Sequence, residues 1–213
     1  MSDEKPAELR SACEGGTQQF YQIEEGWMET YSGKRFTFMN PRPEMIDVED
    51  IAHAIGKLCR YGGHSRRFYS VAEHCVHLAK WVIRQGGDTQ TALTALMHDA
   101  TEGYLVDMPR PIKHQLPDYR RIEDVLAEAI AAKFGLTFPM PRLIHEADSR
   151  ILVDERAQVM SKSGNDWGVD GLQAPSITIG FWSPEEAPRR FLTAFRSLTS
   201  RRDAGMPPDA GEF

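Results

Sequence analysis

The sequence has no stretch approaching the ~20 apolar residues that a bilayer-spanning helix requires, so a helical membrane protein is not expected. Cysteine is scarce. Cys13, Cys59 and Cys75 are odd in number and lack the paired spacing of a thiolate zinc site or a redox dithiol, so they read as reduced thiols. No glycine-rich loop followed by Lys is present, which removes ATP-driven motors and kinases. Positive charge is in deficit as well: 25 Lys and Arg against 31 Asp and Glu leave a formal net charge of −6. Binding a nucleic-acid polymer through counterion release is therefore not expected. The opening segment MSDEKPAELRSACEGG carries acids where a secretory signal has a basic flank and an apolar run. The expectation is a cytoplasmic protein with a small-molecule ligand, and a few Arg and Lys in one pocket suffice to hold an anionic one.

What is present supports one core. At 213 residues and 41% hydrophobic, the chain fits a flexible leader over 1–26, a single domain over 27–200 and a flexible tail over 201–213. Aromatic and β-branched residues on either side of Ser32-Gly33 predict a small β-hairpin. From Asp47 onward the spacing turns helical. Asp47 and Asp50 stand where a helix start is capped, and Ile51, Ile55 and Leu58 recur on one face. Ser70-Val71-Ala72-Glu73 fits a capping box, followed by Val71, Cys75, Leu78 and Val82. Further helices are predicted from Thr89 through Ala100, over Asp118–Phe134 with Gly135 as the stop, after Pro141, and from Ser183-Pro184. The fold class expected is an all-α helical bundle with a short N-terminal β-hairpin.

Four residues break the apolar pattern with metal-competent side chains. His74 shares a face with Val71, Cys75 and Leu78; His98-Asp99 follows Leu93, Leu96 and Met97; Asp148 lies between Ile144, Ile151 and Leu152. A buried carboxylate without a partner costs several kcal/mol, roughly, so a cation or a hydrogen-bond network is demanded there. Two imidazoles and two carboxylates can hold one divalent metal and leave positions for water and a phosphate oxygen.

In order and spacing, YSVAEHCVHLA, ALMHDATEGYLVDMPRPIKH and HEADSRIL resemble the H…HD…D signature of the HD superfamily of metal-dependent phosphohydrolases. The resemblance covers about residues 45–160 and extends to HD-type 5′-deoxynucleotidases and the related phage-type deoxynucleoside triphosphohydrolases. ETYSGKRF and MNPRPEMIDVEDIA are similar to the N-terminus of a bacterial and phage branch of HD hydrolases. It implies an HD-domain bundle with His74, His98, Asp99 and Asp148 as ligands of one divalent cation (Co, Mn, Zn, Fe or Mg). It also implies Glu102 as the acid that orients or deprotonates the attacking water, with Asp107 as a second acid near the water and sugar. Arg60 would hold phosphate, Tyr61 would lie against sugar or base, and Lys113 would contact phosphates. The substrate implied is a small nucleotide, as mono- or triphosphate, and homo-oligomers are implied as well.

Other basic groups are weighed by position. Arg66-Arg67 and Arg110 flank the candidate ligands and are candidates for phosphate, and His145, one turn before Asp148, is another. His53 and His77 read as structural, and His64 as a solvated loop residue. Spacing of His114 and His145 does not match dinuclear HD sites. The competing functions are hydrolysis of an alarmone or cyclic nucleotide by the same chemistry, and a non-catalytic metal- or nucleotide-binding regulator.

Overall fold

A computed structural model describes residues 26–213; the leader expected over 1–26, with Cys13, lies outside them save for Gly26. Trp27–Glu29 (β1) and Arg35–Thr37 (β2) pair antiparallel with Met28 opposite Phe36. Gly33, at φ +77°, closes the turn in a conformation that favours glycine. The turn is fastened to the helices by Ser32, which donates its backbone N–H (2.6 Å) and its hydroxyl (2.9 Å) to the buried carboxylate of Asp50. Asp50 therefore does not share in capping. Asp47 alone caps α1 (Val48–Lys57), accepting from the Glu49 N–H at 2.9 Å.

The next two helices start at side-chain caps. Ser70 caps α2 (Val71–Arg84) by accepting from the Glu73 N–H, and Asp88 caps α3 (Thr89–Leu96) by accepting from the Thr91 N–H. Two single turns follow, α4 (Glu102–Leu105) and α5 (Arg110–Lys113). The long α6 (Pro117–Phe134) begins with proline, one residue before the predicted Asp118, and ends at Gly135 in the left-handed region, the stop that the sequence predicts. α7 (Arg142–Gln158) follows Pro141, and α8 (Glu186–Asp203) is capped by the Ser183 hydroxyl, which accepts from the Glu186 N–H at 3.2 Å. The expected all-helical architecture with a short hairpin is thus the one observed. One boundary differs: the helix from Thr89 stops at Leu96, and 97–101 is a run of tight turns.

Helix α2 is the axis of the molecule, packed by α1, α3, α7 and α8. Ten of its 14 residues are buried, so a polar side chain on it faces the interior. Glu73 shows the effect. Its carboxylate does not close a capping box but accepts the N–H groups of Gly180 (2.6 Å), Phe181 (3.0 Å) and Trp182 (2.8 Å). The extended piece over 177–182 joins no sheet; Asp154 and Gln158 of α7 bind its Ile177 and Ile179 N–H groups, each at 3.0 Å. The stretch read as a tail folds back on the bundle. Thr89 donates to the Met206 carbonyl (2.6 Å), and Arg201 pairs with Glu212. Among the described residues no helix is long and apolar enough to cross a membrane.

Helices α1 and α8 approach so closely at Gly56 that a Cβ there would stand 2.4 Å from Pro188 Cγ. Proline cannot swing away, so Gly56→Ala is expected to destabilise the protein by about 1–3 kcal/mol through overpacking, read as a lowered denaturation midpoint.

Candidate metal centre

Three elements bring the four candidate ligands together: α2 carries His74, the turn after α3 carries His98 and Asp99, and α7 carries Asp148. His74 Nε2 lies 3.2 Å from His98 Nε2, 3.6 Å from Asp99 Oδ2 and 3.4 Å from Asp148 Oδ1. His98 Nε2 stands 3.0 Å from Asp99 Oδ2. Ligands bound at about 2.1 Å and separated by 90–110° stand about 3.0–3.4 Å apart, so these spacings suit a first coordination shell. Donor atoms of His74, His98 and Asp99 all lie within 4.8 Å of one another and could hold a metal ion. Asp148 meets that group through His74.

Hydrogen bonds on the far side of each ring fix what the near side offers. His74 Nδ1 donates to Glu155 Oε1 at 2.7 Å, and His98 Nδ1 donates to the Ala95 carbonyl at 2.9 Å. A carboxylate and a carbonyl only accept, so each neutral ring keeps its proton on Nδ1 and turns an Nε2 lone pair inward. With both rings neutral, two lone pairs and an Asp99 oxygen cluster together, with Asp148 beside His74, an arrangement that attracts positive charge, whether a proton on His98 or a cation. The electrostatics agree. Burial alone would disfavour the His98 imidazolium, but the neighbouring Asp99 carboxylate outweighs it and raises the pKa well above the ordinary value. Burial would raise Asp99 and Asp148, yet His98 draws Asp99 down to about 2, and His74, His98 and Arg110 hold Asp148 well below the usual carboxylate range.

This donor set joins a larger likeness. No protein-family model matches the chain. It is 35% identical over 178 residues to the uncharacterized protein YfdR of Escherichia coli (strain K12), an alignment spanning 83% of this chain and 97% of that one. The chain belongs to the YfdR family. It is also 34% identical over 130 residues to an uncharacterized protein of Rhodobacter capsulatus, spanning 59% of this chain and 66% of the relative. Both stretches are longer than the segment from His74 to Asp148.

The other sequence candidates fall into two groups. Glu102 is buried, and its Oε2 has no hydrogen-bond partner among the described residues. Burial, then the Asp99 and Asp107 carboxylates, raise its pKa well above the ordinary value. Asp107 is half-buried and likewise raised by burial, with Arg60 pulling it down and Asp99 pushing it up. Arg60 is buried, donating to Glu155 Oε2 at 3.2 Å and lying 3.6 Å from Asp99 Oδ2. Tyr61 adopts φ +60° and donates its hydroxyl to the same Glu155 oxygen. Arg60 and Tyr61 thus reach the centre through Glu155, and Glu102 and Asp107 lie near enough for the charge of Asp99 to act on them. Lys113 donates to Glu123 at 2.6 Å, Arg67 is exposed with its guanidinium 4.0 Å over the Phe181 ring, and His145 is exposed on α7. None of these three touches the ligands among the described contacts. His77 packs beside Glu73 and Trp182, and His53 stacks on Tyr31, as structural histidines do.

Glu155 is the residue that sequence reasoning missed. It has no exposed surface and accepts from His74, Arg60, Tyr61 and Tyr69, the last at 2.8 Å. Burial would raise its pKa, but Arg60 and His74 overcome that and hold it at about 2. The signal was available: seven residues beyond Asp148 is two helical turns, so both carboxylates share the apolar face of Ile144 and Ile151.

Two outcomes follow. Glu155→Gln removes the charge that orients His74 and pairs with Arg60, so Mn²⁺ affinity measured by calorimetric titration should fall ~10–100-fold. Glu102→Gln should raise the thermal midpoint. An unfolded glutamate ionises above about pH 4.3 while buried Glu102 keeps its proton, so the wild type loses stability as pH rises from there to the raised folded pKa. The advantage of the variant should therefore grow with pH over that window and vanish below it.

Proposed function

We propose that this chain is a metal-dependent phosphohydrolase of the HD type that cleaves a phosphate ester or anhydride of a (deoxy)nucleotide by attack of water. The observation that carries the reading is the clustering of the His74, His98 and Asp99 donor atoms, with Asp148 beside His74 and both ring Nδ1 atoms engaged by hydrogen bonds on the far side. Imidazole and carboxylate donors suit Mn, Fe, Co, Zn or Mg. A divalent cation, when bound, supplies charge for the phosphoryl oxygens and makes a water acidic enough to ionise near neutral pH.

The chain's own groups supply the rest. Glu102 presents an unpartnered carboxyl oxygen beside Asp99, and its raised pKa makes the ionised form a stronger base than a solvated glutamate, suited to taking the proton of the attacking water. Asp107 acts from the rim, where the same burial effect tunes it toward neutrality. Arg60 steadies Asp99 and Glu155 from behind. Metal binding alone requires no such acid, so Glu102 favours an enzyme over a binding regulator.

Positive charge at the centre is largely committed. Arg60 faces Glu155, Arg110 faces Asp148, and Lys113 faces Glu123. Little is spare for a triphosphate, and a single phosphate is the better fit. Mn²⁺- or Co²⁺-loaded protein assayed against nucleoside monophosphates and triphosphates should release inorganic phosphate from the former. His98→Ala should lose at least ~100-fold in rate, the scale on which a metal-assisted step depends on its cation. Turnover of no nucleotide by the metal-loaded wild type would refute the reading; release of triphosphate would keep the chemistry and reassign the substrate.

A further inference from the structure

Three cations stand near the centre, and they differ in what they have left to offer. Arg60 is 8% exposed and engaged with Glu155 and Asp99. Lys113 is partly covered and bound to Glu123 on α6. Arg110 keeps 58% of its side chain exposed, and its one side-chain hydrogen bond among the described residues runs from Nη2 to Asp148 Oδ2. A guanidinium carries further N–H donors in a planar fork, and on Arg110 these have no partner among the described residues while more than half of the side chain is open to solvent.

Its placement relative to the ligands is specific. One oxygen of Asp148 receives Arg110, and the other lies 3.4 Å from His74 Nε2. The guanidinium is therefore separated from the converging donor atoms by a single carboxylate, on their solvent side. Pro109 and Pro111 flank Arg110 and restrict the backbone on either side of it. The Tyr119 hydroxyl, 3.1 Å from both the Leu105 and Val106 carbonyls, and the Lys113 bond to Glu123 tie this segment to α6. The side chain is thus carried on a fastened element.

We infer that Arg110 is the phosphate-recognising residue of this centre, donating its remaining N–H groups to nonbridging oxygens of the substrate while it keeps Asp148. The inference rests on the phosphohydrolase reading and singles out Arg110 from the phosphate candidates of the sequence, Arg60, Arg66, Arg67, Lys113, His145 and Arg110 itself. Guanidinium and phosphate match as a bidentate pair, which an ammonium cannot reproduce. Arg110 is a specificity-determining residue and contributes no ligand to the cation.

The test separates this role from simple support of Asp148. Wild type, Arg110→Ala and Arg110→Lys are compared for Mn²⁺ affinity by calorimetry, for inorganic phosphate affinity of the Mn²⁺-loaded protein, and for kcat and KM on the hydrolysed nucleotide. In Arg110→Ala, Mn²⁺ affinity should stay within about twofold, while phosphate affinity weakens and KM rises by ~10–100-fold, the scale of a hydrogen bond to a charged group. Arg110→Lys should fall between, and kcat should move less than KM. Phosphate affinity unchanged in Arg110→Ala, or lost only in proportion to a loss of Mn²⁺ affinity, overturns the inference. A wild type that binds phosphate through Arg110 but hydrolyses no nucleotide defeats the hydrolase reading alone; a Mn²⁺-loaded wild type that binds no phosphate defeats the inference about Arg110.

Discussion

The carboxylate of Glu155 is shut away from water, and both of its oxygens are doubly engaged, by His74 and Tyr69 on one and by Arg60 and Tyr61 on the other. A charge so placed would be strongly destabilising without partners, and removing one member of such a network leaves the others uncompensated. All four partners come from residues 60–74, while Glu155 comes from α7. This one group therefore joins the loop before α2 to the helix that carries Asp148, and it sets the tautomer that His74 presents. It also explains why Tyr61 tolerates a left-handed backbone that costs a non-glycine residue about 1–2 kcal/mol: the conformation delivers the phenol to the buried anion.

The sequence was legible where polar residues interrupt an apolar face. His74 and Asp148 were found that way, and the fold brings them together. Glu73 and Glu155 obey the same logic but were hidden by local patterns that have a surface reading. Glu73 completes a capping-box motif, and Glu155 sits in the run Asp154-Glu155-Arg156, which resembles a solvated charge cluster. Only tertiary packing separates those readings, because the three N–H groups that donate to Glu73 lie more than a hundred residues away. Arg60 was legible as a cation near the centre but not as a buried one.

The helix that ends early at Leu96 has a geometric reason. Consecutive side chains on an α-helix point about 100° apart, so His98 and Asp99 could not both face one point from a regular helix. Tight turns over 97–101 let adjacent residues do so, with the His98 Nε2 and Asp99 Oδ2 atoms 3.0 Å apart. Periodicity continues to fit through Met97 and Ala100, which are buried, so the interruption leaves no trace in the apolar pattern. Glu102 shows the matching tension between stability and chemistry: a buried carboxyl with an unpartnered oxygen is a cost to the fold that a functional centre can justify.

The grip of Glu73 on the backbone of residues 180–182 bears on how the protein comes into being. That contact closes a loop of 107 residues around the carboxylate next to His74. On the ribosome, the middle of the bundle therefore waits for a late part of the chain to emerge, and α2 stays unfinished until then. The polar cluster around His74 is completed in the same interval, since Asp148 and Glu155 also emerge long after it. The side chains that could hold a cation therefore come together only once α7 has followed α2 out, long after the helix of His74 has been made.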